Sequence, residues 1–210
     1  MADPIAVIVD KAELMRELQA RVDRVDNVAP LLDAFGLSMV RSVQKTFREG
    51  GRPRKWDKSR RATETSGQTM RHKGELMRSI THVVRGNTVE IGTNLEYARI
   101  HQYGGTITPK RAKALTVPVH VKAYGKRAAD FPDLVYIPRR GAGKDAILAM
   151  VKARKGKGGS LMRAGAQIIP YFVLKRSVKI PARPFLQILP EDTSRLDRLA
   201  EKYLSTGEVV

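Results

Sequence analysis

Residues 91–105 carry the sequence IGTNLEYARIHQYGG, which has the features of one supersecondary unit. The alternation before it predicts a strand that ends at Ile91 and is followed by a turn. A short helix is then expected over residues 95–103, with Asn94 as its N-cap. Gly104 and Gly105 are expected to end this helix, because glycine adopts the left-handed conformation of a helix C-terminus without steric cost.

Two amphipathic helices are expected on either side of this unit. Apolar residues recur at helical spacing over residues 29–48, and Pro30 falls in the first turn. A C-terminal helix is predicted around Leu196 to Leu204, with Asp192 or Thr193 as its cap. A further helical face is formed by Leu14, Leu18, Val22 and Val25.

The other segments have weaker signals. A hairpin is expected at residues 78–92, and short strands are expected near residues 115–119, 134–138 and 168–180. Prolines at 109, 118 and 138 favour edge strands. Residues 49–73 predict an extended loop, and residues 146–151 predict one or two helical turns.

Together these elements predict an α+β fold, in which a small antiparallel sheet packs against the long helix and the C-terminal helix. The length of 210 residues suits a single domain. We expect its core at about residues 28–105 and 168–205, and a long basic insertion of loops and strands at about residues 106–167.

The positive charge is concentrated in that insertion. The chain has 39 Lys and Arg against 21 Asp and Glu, a formal net charge of +18. Residues 109–185 hold 18 basic and 3 acidic residues, a net of +15. Such a field attracts polyanions, so we expect a polyanion or acidic protein partner in preference to a merely solvated surface. The residues expected to face it are Lys152, Arg154, Lys155, Lys157 and Arg163.

Catalytic, metal and cofactor sites are not expected. The segment at residues 141–145 lacks the spacing of a phosphate-binding loop, because Pro138 stands where the first glycine is required. No two of the four histidines lie at metal-ligand spacing, and there is no cysteine. Acidic residues are scarce in the basic half, which disfavours a nuclease. No signal peptide or membrane-spanning run is expected, so no membrane partner is predicted.

Five residues are candidates for an interface. Trp56 in its basic loop predicts either an interface anchor or a core plug. Tyr97 and Tyr103 are six residues apart, so one is expected in the core and the other at a contact. His101 is expected to be a satisfied structural histidine that bonds to backbone or to a neighbouring subunit. Arg183, between two prolines, is expected to form a structural hydrogen-bond fork more readily than a ligand clamp.

Four segments, in order along the chain, resemble the phage virion morphogenesis proteins, which are the neck and tail-completion proteins of Mu-like phages. They are residues 47–56 (FREGGRPRKW), 74–80 (GELMRSI), 91–105 and 180–186 (IPARPFL). The ordered combination is more specific than any single segment. The resemblance covers residues 30–105 and 178–204, and says little about residues 106–170.

The resemblance implies a structural protein that joins or stabilises the head–tail junction of a tailed phage, as a homo-oligomeric ring. It also implies contacts with other neck and tail proteins, such as the tail terminator and the connector or stopper, and non-specific contacts with packaged DNA. The protein would be made in the host cytoplasm and reside in the virion. The alternative is a basic nucleic-acid-binding module without ring assembly. Residues 139–166 contain no aromatic residue, which argues against base stacking in that segment.

Overall fold

The computed structural model of the chain describes residues 11–138, 145–152 and 167–209. These residues form two compact units. Within the described residues, the first unit consists of 11–55, 74–96 and 185–209, and the second of 56–73, 97–138, 145–152 and 167–184.

Helices and short antiparallel strands alternate along the chain, and the α+β class is confirmed. The helices are α1 (Lys11–Asp26), α2 (Ala29–Glu49), α3 (Arg60–Glu64), α4 (Glu75–Arg78), α5 (Ala98–Tyr103) and α6 (Pro190–Thr206). The strands are β1 (Thr81–Arg85), β2 (Thr88–Gly92), β3 (Gly105–Ile107), β4 (Leu115–Pro118), β5 (Val135–Ile137), β6 (Ile147–Lys152), β7 (Gln167–Lys175) and β8 (Val178–Ile180).

Helix α2 is the centre of the first unit and matches the predicted long helix. It buries Met39, Val43 and Phe47 on one face. The Phe47 ring packs against Phe185, with 5.1 Å between the ring centroids. Full burial of each of these rings stabilises the fold by roughly 2 kcal/mol. The helix ends at Gly50, whose φ of 73° is left-handed, as in a glycine C-cap.

The predicted hairpin packs on α2 as a separate two-stranded sheet. Strands β1 and β2 pair from Thr81–Gly92 to Arg85–Thr88. The ring of His82 lies so close to the backbone of α2 that a Cβ on Gly36 would be 2.1 Å from it. His82 Nε2 is also 2.8 Å from Asp33 Oδ1. A glycine in the middle of this helix therefore lets the hairpin approach.

Helix α6 packs against both α1 and α2. It begins one turn earlier than the cap residues predicted from the sequence. Pro190 is its first residue, and the Asp192 carboxylate accepts a hydrogen bond from the Leu189 N–H at 3.0 Å. The Tyr203 hydroxyl, near its other end, donates to the Asn27 carbonyl at 2.5 Å.

The guanidinium of Arg52 is buried between α2 and α6, although the loop around it is polar. Arg52 is only 8% exposed. Its Nε donates to Thr46 Oγ1 at 3.0 Å, and Nη2 donates to Ser42 Oγ at 2.7 Å and to the Ser42 carbonyl. Nη1 pairs with the Glu191 carboxylate, and Gln187 donates to the Arg52 carbonyl. Because a buried charge is stable only when it is paired and hydrogen-bonded, these contacts fix the loop against both helices.

The main sheet of the second unit has the order β4-β7-β6-β5, and all its pairs are antiparallel. The prediction of edge positions is correct for β4, which contains Pro118, and for β5, which Pro138 follows. Phe172 and Ala123 are buried at its core, and Phe131 packs against them. Tyr171 forms a bulge, because Leu148 pairs with Phe172 while Ala149 pairs with Pro170.

Three sequence predictions in this unit need correction. Residues 147–152 form strand β6, where we expected helical turns, because pairing with β5 on one side and β7 on the other outweighs local helix propensity. The strand expected over residues 168–180 is divided into β7 and β8, which belong to different sheets. The expected loop at 49–73 contains α3, which Ser59 caps through the Ala62 N–H.

Replacing Arg52 with lysine tests the buried network. One ammonium cannot reach Ser42, Thr46 and Glu191 together, so we expect the free energy of unfolding to fall by about 2 kcal/mol. Arg85→Lys is the control, since Arg85 forms an exposed ion pair with Glu90 at 3.8 Å and should change stability by less than about 0.5 kcal/mol. Urea unfolding of both variants measures the difference. Equal effects would show that the Arg52 contacts do not stabilise the fold.

Candidate functional site

The helix of the 91–105 segment is shorter than predicted. It begins at Ala98, after Tyr97 as N-cap, so Asn94 is not its cap. The Thr93 hydroxyl instead accepts the Leu95 N–H at 3.2 Å, which forms a local turn before the helix. Gly104 ends the helix at a φ of 71°, as predicted.

Two of the sequence motifs meet at this point, although about 75 residues separate them. Strand β3, directly after Gly104, pairs antiparallel with β8. The Arg183 N–H then donates to the His101 carbonyl at 2.8 Å. The backbones approach so closely that a Cβ on Gly104 would lie 2.7 Å from the Ala182 nitrogen. No local sequence pattern predicts this contact, because neither segment identifies its partner.

The side chains of His101 and Arg183 are half-buried here. Among the described residues, His101 Nδ1 and Arg183 Nε are buried and have no hydrogen-bond partner. Within the described chain no backbone group pairs with Nδ1, and the expected bond to a neighbouring subunit stays a prediction. Burial of the ring is the main cause that lowers the pKa of His101, and the nearby Arg183 charge lowers it further. The ring is therefore neutral at neutral pH. Burial also lowers the pKa of Arg183, and the charge of Asp57 opposes that shift.

Aromatic residues lie beside this pair. The Tyr97 ring contacts the His101 ring edge to face, with centroids 6.1 Å apart. Tyr97 is 42% exposed and Tyr103 is 74% exposed, so neither fills the core, contrary to the expectation that one would. Trp56 is half-buried, and its two interpretations stay open. We call Tyr97, His101, Tyr103 and Arg183 together the α5 surface.

The other predicted contact residues lie mostly beyond what the structure describes. Lys152 is exposed at the end of β6. Arg154, Lys155, Lys157 and Arg163 fall outside the described residues.

Neither a metal site nor a membrane-spanning helix has a candidate within the described ranges. Within them, no group of three or more His, Asp or Glu side chains is placed to hold a metal ion. No helix in the same ranges combines the length and apolar character needed to cross a membrane.

Gly104→Ala tests the close approach of the two motifs. The combination of φ 71° and ψ −174° is accessible essentially to glycine alone, and the added Cβ would collide with the Ala182 backbone. We expect the free energy of unfolding to fall by about 2 kcal/mol or more. Gly92→Ala is the control, because a Cβ there meets nothing within 4 Å. Unchanged stability of Gly104→Ala in urea unfolding would contradict the observed packing.

The lowered pKa of His101 predicts a pH dependence. Below pH 6.5, the ordinary value, the unfolded chain binds a proton at this residue while the folded chain does not. Stability should therefore fall with pH from 6.5 down to the lower folded-state pKa. His101→Gln should remove this component, which urea unfolding at a series of pH values measures. A wild-type slope in the variant would rule out His101 as its source.

The chain has recognisable relatives. Residues 9–142 match the model of the phage virion morphogenesis family. The chain is also 33% identical, over 93 residues, to the Mu-like prophage FluMu G protein 2 of Haemophilus influenzae. That match covers 44% of this chain and 64% of the relative, slightly less than two thirds of its length. No solved structure matches the chain significantly.

Three of the four sequence motifs lie inside the residues that match the family model. The fourth, at residues 180–186, lies beyond them and joins the third through the β3–β8 pair and the contact of Arg183 with His101. Since the family match extends over residues 9–142 of 210, this chain belongs to the phage virion morphogenesis family.

Proposed function

We propose that this protein acts in phage virion assembly as a neck or tail-completion protein, which joins or stabilises the head–tail junction as a homo-oligomeric ring. Family membership supports the general role in virion assembly. The junction is our inference from the resemblance of the four motifs to neck and tail-completion proteins, and the α5 surface supports the ring. The family is a structural one, and the proposed action is assembly through protein contacts.

The α5 surface carries this proposal, because it combines exposed aromatic area with polar groups that lack partners. Tyr103 offers a large and rigid contact side chain of the kind enriched at interface centres. His101 Nδ1 and Arg183 Nε are buried and unpaired within the described chain, a state that a neighbouring subunit would relieve. In the described residues, β3 and β8 pair only with each other, so each has an outer edge for strand addition.

The proposed partners are further copies of this chain and adjoining neck and tail proteins, such as the tail terminator and the connector or stopper. A contact between the α5 surface and a different surface of the next copy is heterologous, and repetition of such a contact closes into a ring when the rotation permits. The proposed location is the neck of the virion.

Tyr103→Ser tests the assembly role. Loss of an anchor at the centre of a subunit contact should weaken oligomers and leave heads and tails unjoined, at unchanged melting temperature. Tyr136→Ser is the matched control, since Tyr136 is 57% exposed but lies on edge strand β5. Light scattering of the purified protein and electron microscopy of particles from a complementation assay measure the effect. A monomer in every context, including the virion, would exclude the ring.

Contacts with packaged DNA are the second element of the proposal, and the net charge of +15 over residues 109–185 supports it. Replacing Lys152, Arg154, Lys155, Lys157 and Arg163 with glutamine should flatten the salt dependence of DNA binding, because fewer counterions are released. Thermal stability should change little. Unaltered salt dependence and assembly would exclude this contact. Undiminished DNA binding by a protein that never oligomerises would instead favour the nucleic-acid-binding alternative.

A further inference from the structure

Helix α1 exposes its apolar side chains. None of its residues is buried. The large apolar residues are between 46% and 58% exposed; they are Leu14, Met15, Leu18, Val22 and Val25. Isolated exposed apolar residues are ordinary, but five on one side of a 16-residue helix form a continuous stripe.

The helix is attached to its own unit through the opposite side. Arg24 Nη1 donates to the carbonyls of Leu204 and Ser205 at the end of α6, at 2.9 and 2.8 Å. Ala20 and Arg24 are the half-buried residues of α1. At about 100° per residue, they lie roughly half a turn around the helix from the apolar stripe. The apolar stripe therefore does not serve the packing of α1 on α6.

The spacing within the stripe is that of a coiled-coil seam. Met15, Leu18, Val22 and Val25 follow the alternating three- and four-residue intervals of heptad positions a, d, a and d. Leu14 occupies the neighbouring g position and widens the apolar surface at the N-terminal end of this seam.

We propose that α1 pairs with α1 of a second copy of this chain, as a parallel two-stranded coiled coil. Charge complementarity favours a second copy of α1 as the partner and a parallel orientation of the two helices. With Met15 at position a, Arg21 occupies g and Asp26 the following e, so a parallel pair forms two symmetric Arg21–Asp26 contacts between the copies. An antiparallel pair with Leu18 opposite Val22 of the other copy brings the two Arg21 side chains together.

Two heptads form a short coiled coil, and an isolated peptide of this length is only marginally helical. In this protein the attachment to α6 holds the helix in place, which reduces the entropy lost on pairing. The contact is therefore expected to be reversible. It pairs two copies symmetrically and does not use the α5 surface, so it is independent of the proposed neck function.

Disulfide trapping tests the pairing, because the natural chain contains no cysteine. In a parallel pair the two copies of position 25 face each other, so Val25→Cys should form a cross-linked dimer rapidly under mild oxidation. Asp23→Cys, on the exposed helix surface away from the seam, is the matched control and should cross-link much more slowly. Equal rates for the two variants would overturn the proposal.

The relative orientation of the two α1 helices is tested by mixing the Met15→Cys and Val25→Cys variants. Preferential cross-linking between the two different variants would indicate an antiparallel pair and overturn the parallel arrangement. Cross-linking of each variant mainly with itself supports the parallel arrangement.

Equilibrium measurements test whether the apolar seam and the Arg21–Asp26 contacts stabilise the dimer. Leu18→Glu should abolish the dimer in analytical ultracentrifugation. Its urea unfolding midpoint should equal that of the natural chain when both are measured below the dimer dissociation constant, since Leu18 is 47% exposed in the single chain. Arg21→Glu should raise the dimer dissociation constant roughly twofold to tenfold, and adding Asp26→Arg should restore it. A dimer that survives Leu18→Glu, or no rescue by the double variant, would overturn the proposed seam. Tyr103→Ser should leave this dimer intact, which separates it from the neck contact.

Discussion

The buried guanidinium of Arg52 is the constraint on which the first unit depends. A charge that is 8% exposed must keep its hydrogen bonds and its counterion, so Thr46, Ser42 and Glu191 are held at fixed positions around it. These residues belong to α2 and α6, and Arg52 lies on the turn that follows Gly50. One side chain therefore holds the C-terminal part of α2 and the start of α6 together.

The position of α6 determines in turn the position of α1. Arg24 reaches the last carbonyls of α6, and the Tyr203 hydroxyl reaches the Asn27 carbonyl between α1 and α2. These hydrogen bonds attach α1 to its unit on the side of the helix opposite the apolar stripe. A helix attached in this way keeps its apolar residues available, at a cost in solubility that a dedicated partner would remove.

The second constraint is that neighbouring groups approach the backbone closely at a glycine, and this occurs in both units. Gly36 admits the His82 ring to the surface of α2, and Gly104 admits the Ala182 backbone next to α5. The first contact seats the hairpin, and the second places Arg183 beside His101. A methyl group at either position would collide with its neighbour, so both contacts depend on the absence of a side chain.

The sequence by itself determined the features whose signals are local. The apolar spacing and Pro30 predicted α2, and the strand pattern of residues 78–92 predicted the hairpin. The tolerance of glycine for positive φ placed the end of α5 at Gly104. The same local reasoning singled out Tyr97, His101, Tyr103 and Arg183 as separate candidates, and the ordered motifs indicated the family.

Only the tertiary structure decided how distant segments combine. Residues 147–152 became a strand because β5 and β7 lie on either side, and Arg183 met His101 because β8 pairs with β3. The sequence also did not predict that Arg52 is buried or that the α1 stripe is exposed. An arginine in a polar loop is usually exposed, and the apolar face of a helix is usually buried. In each case the deciding energy comes from partners far away in the chain, which no local pattern specifies.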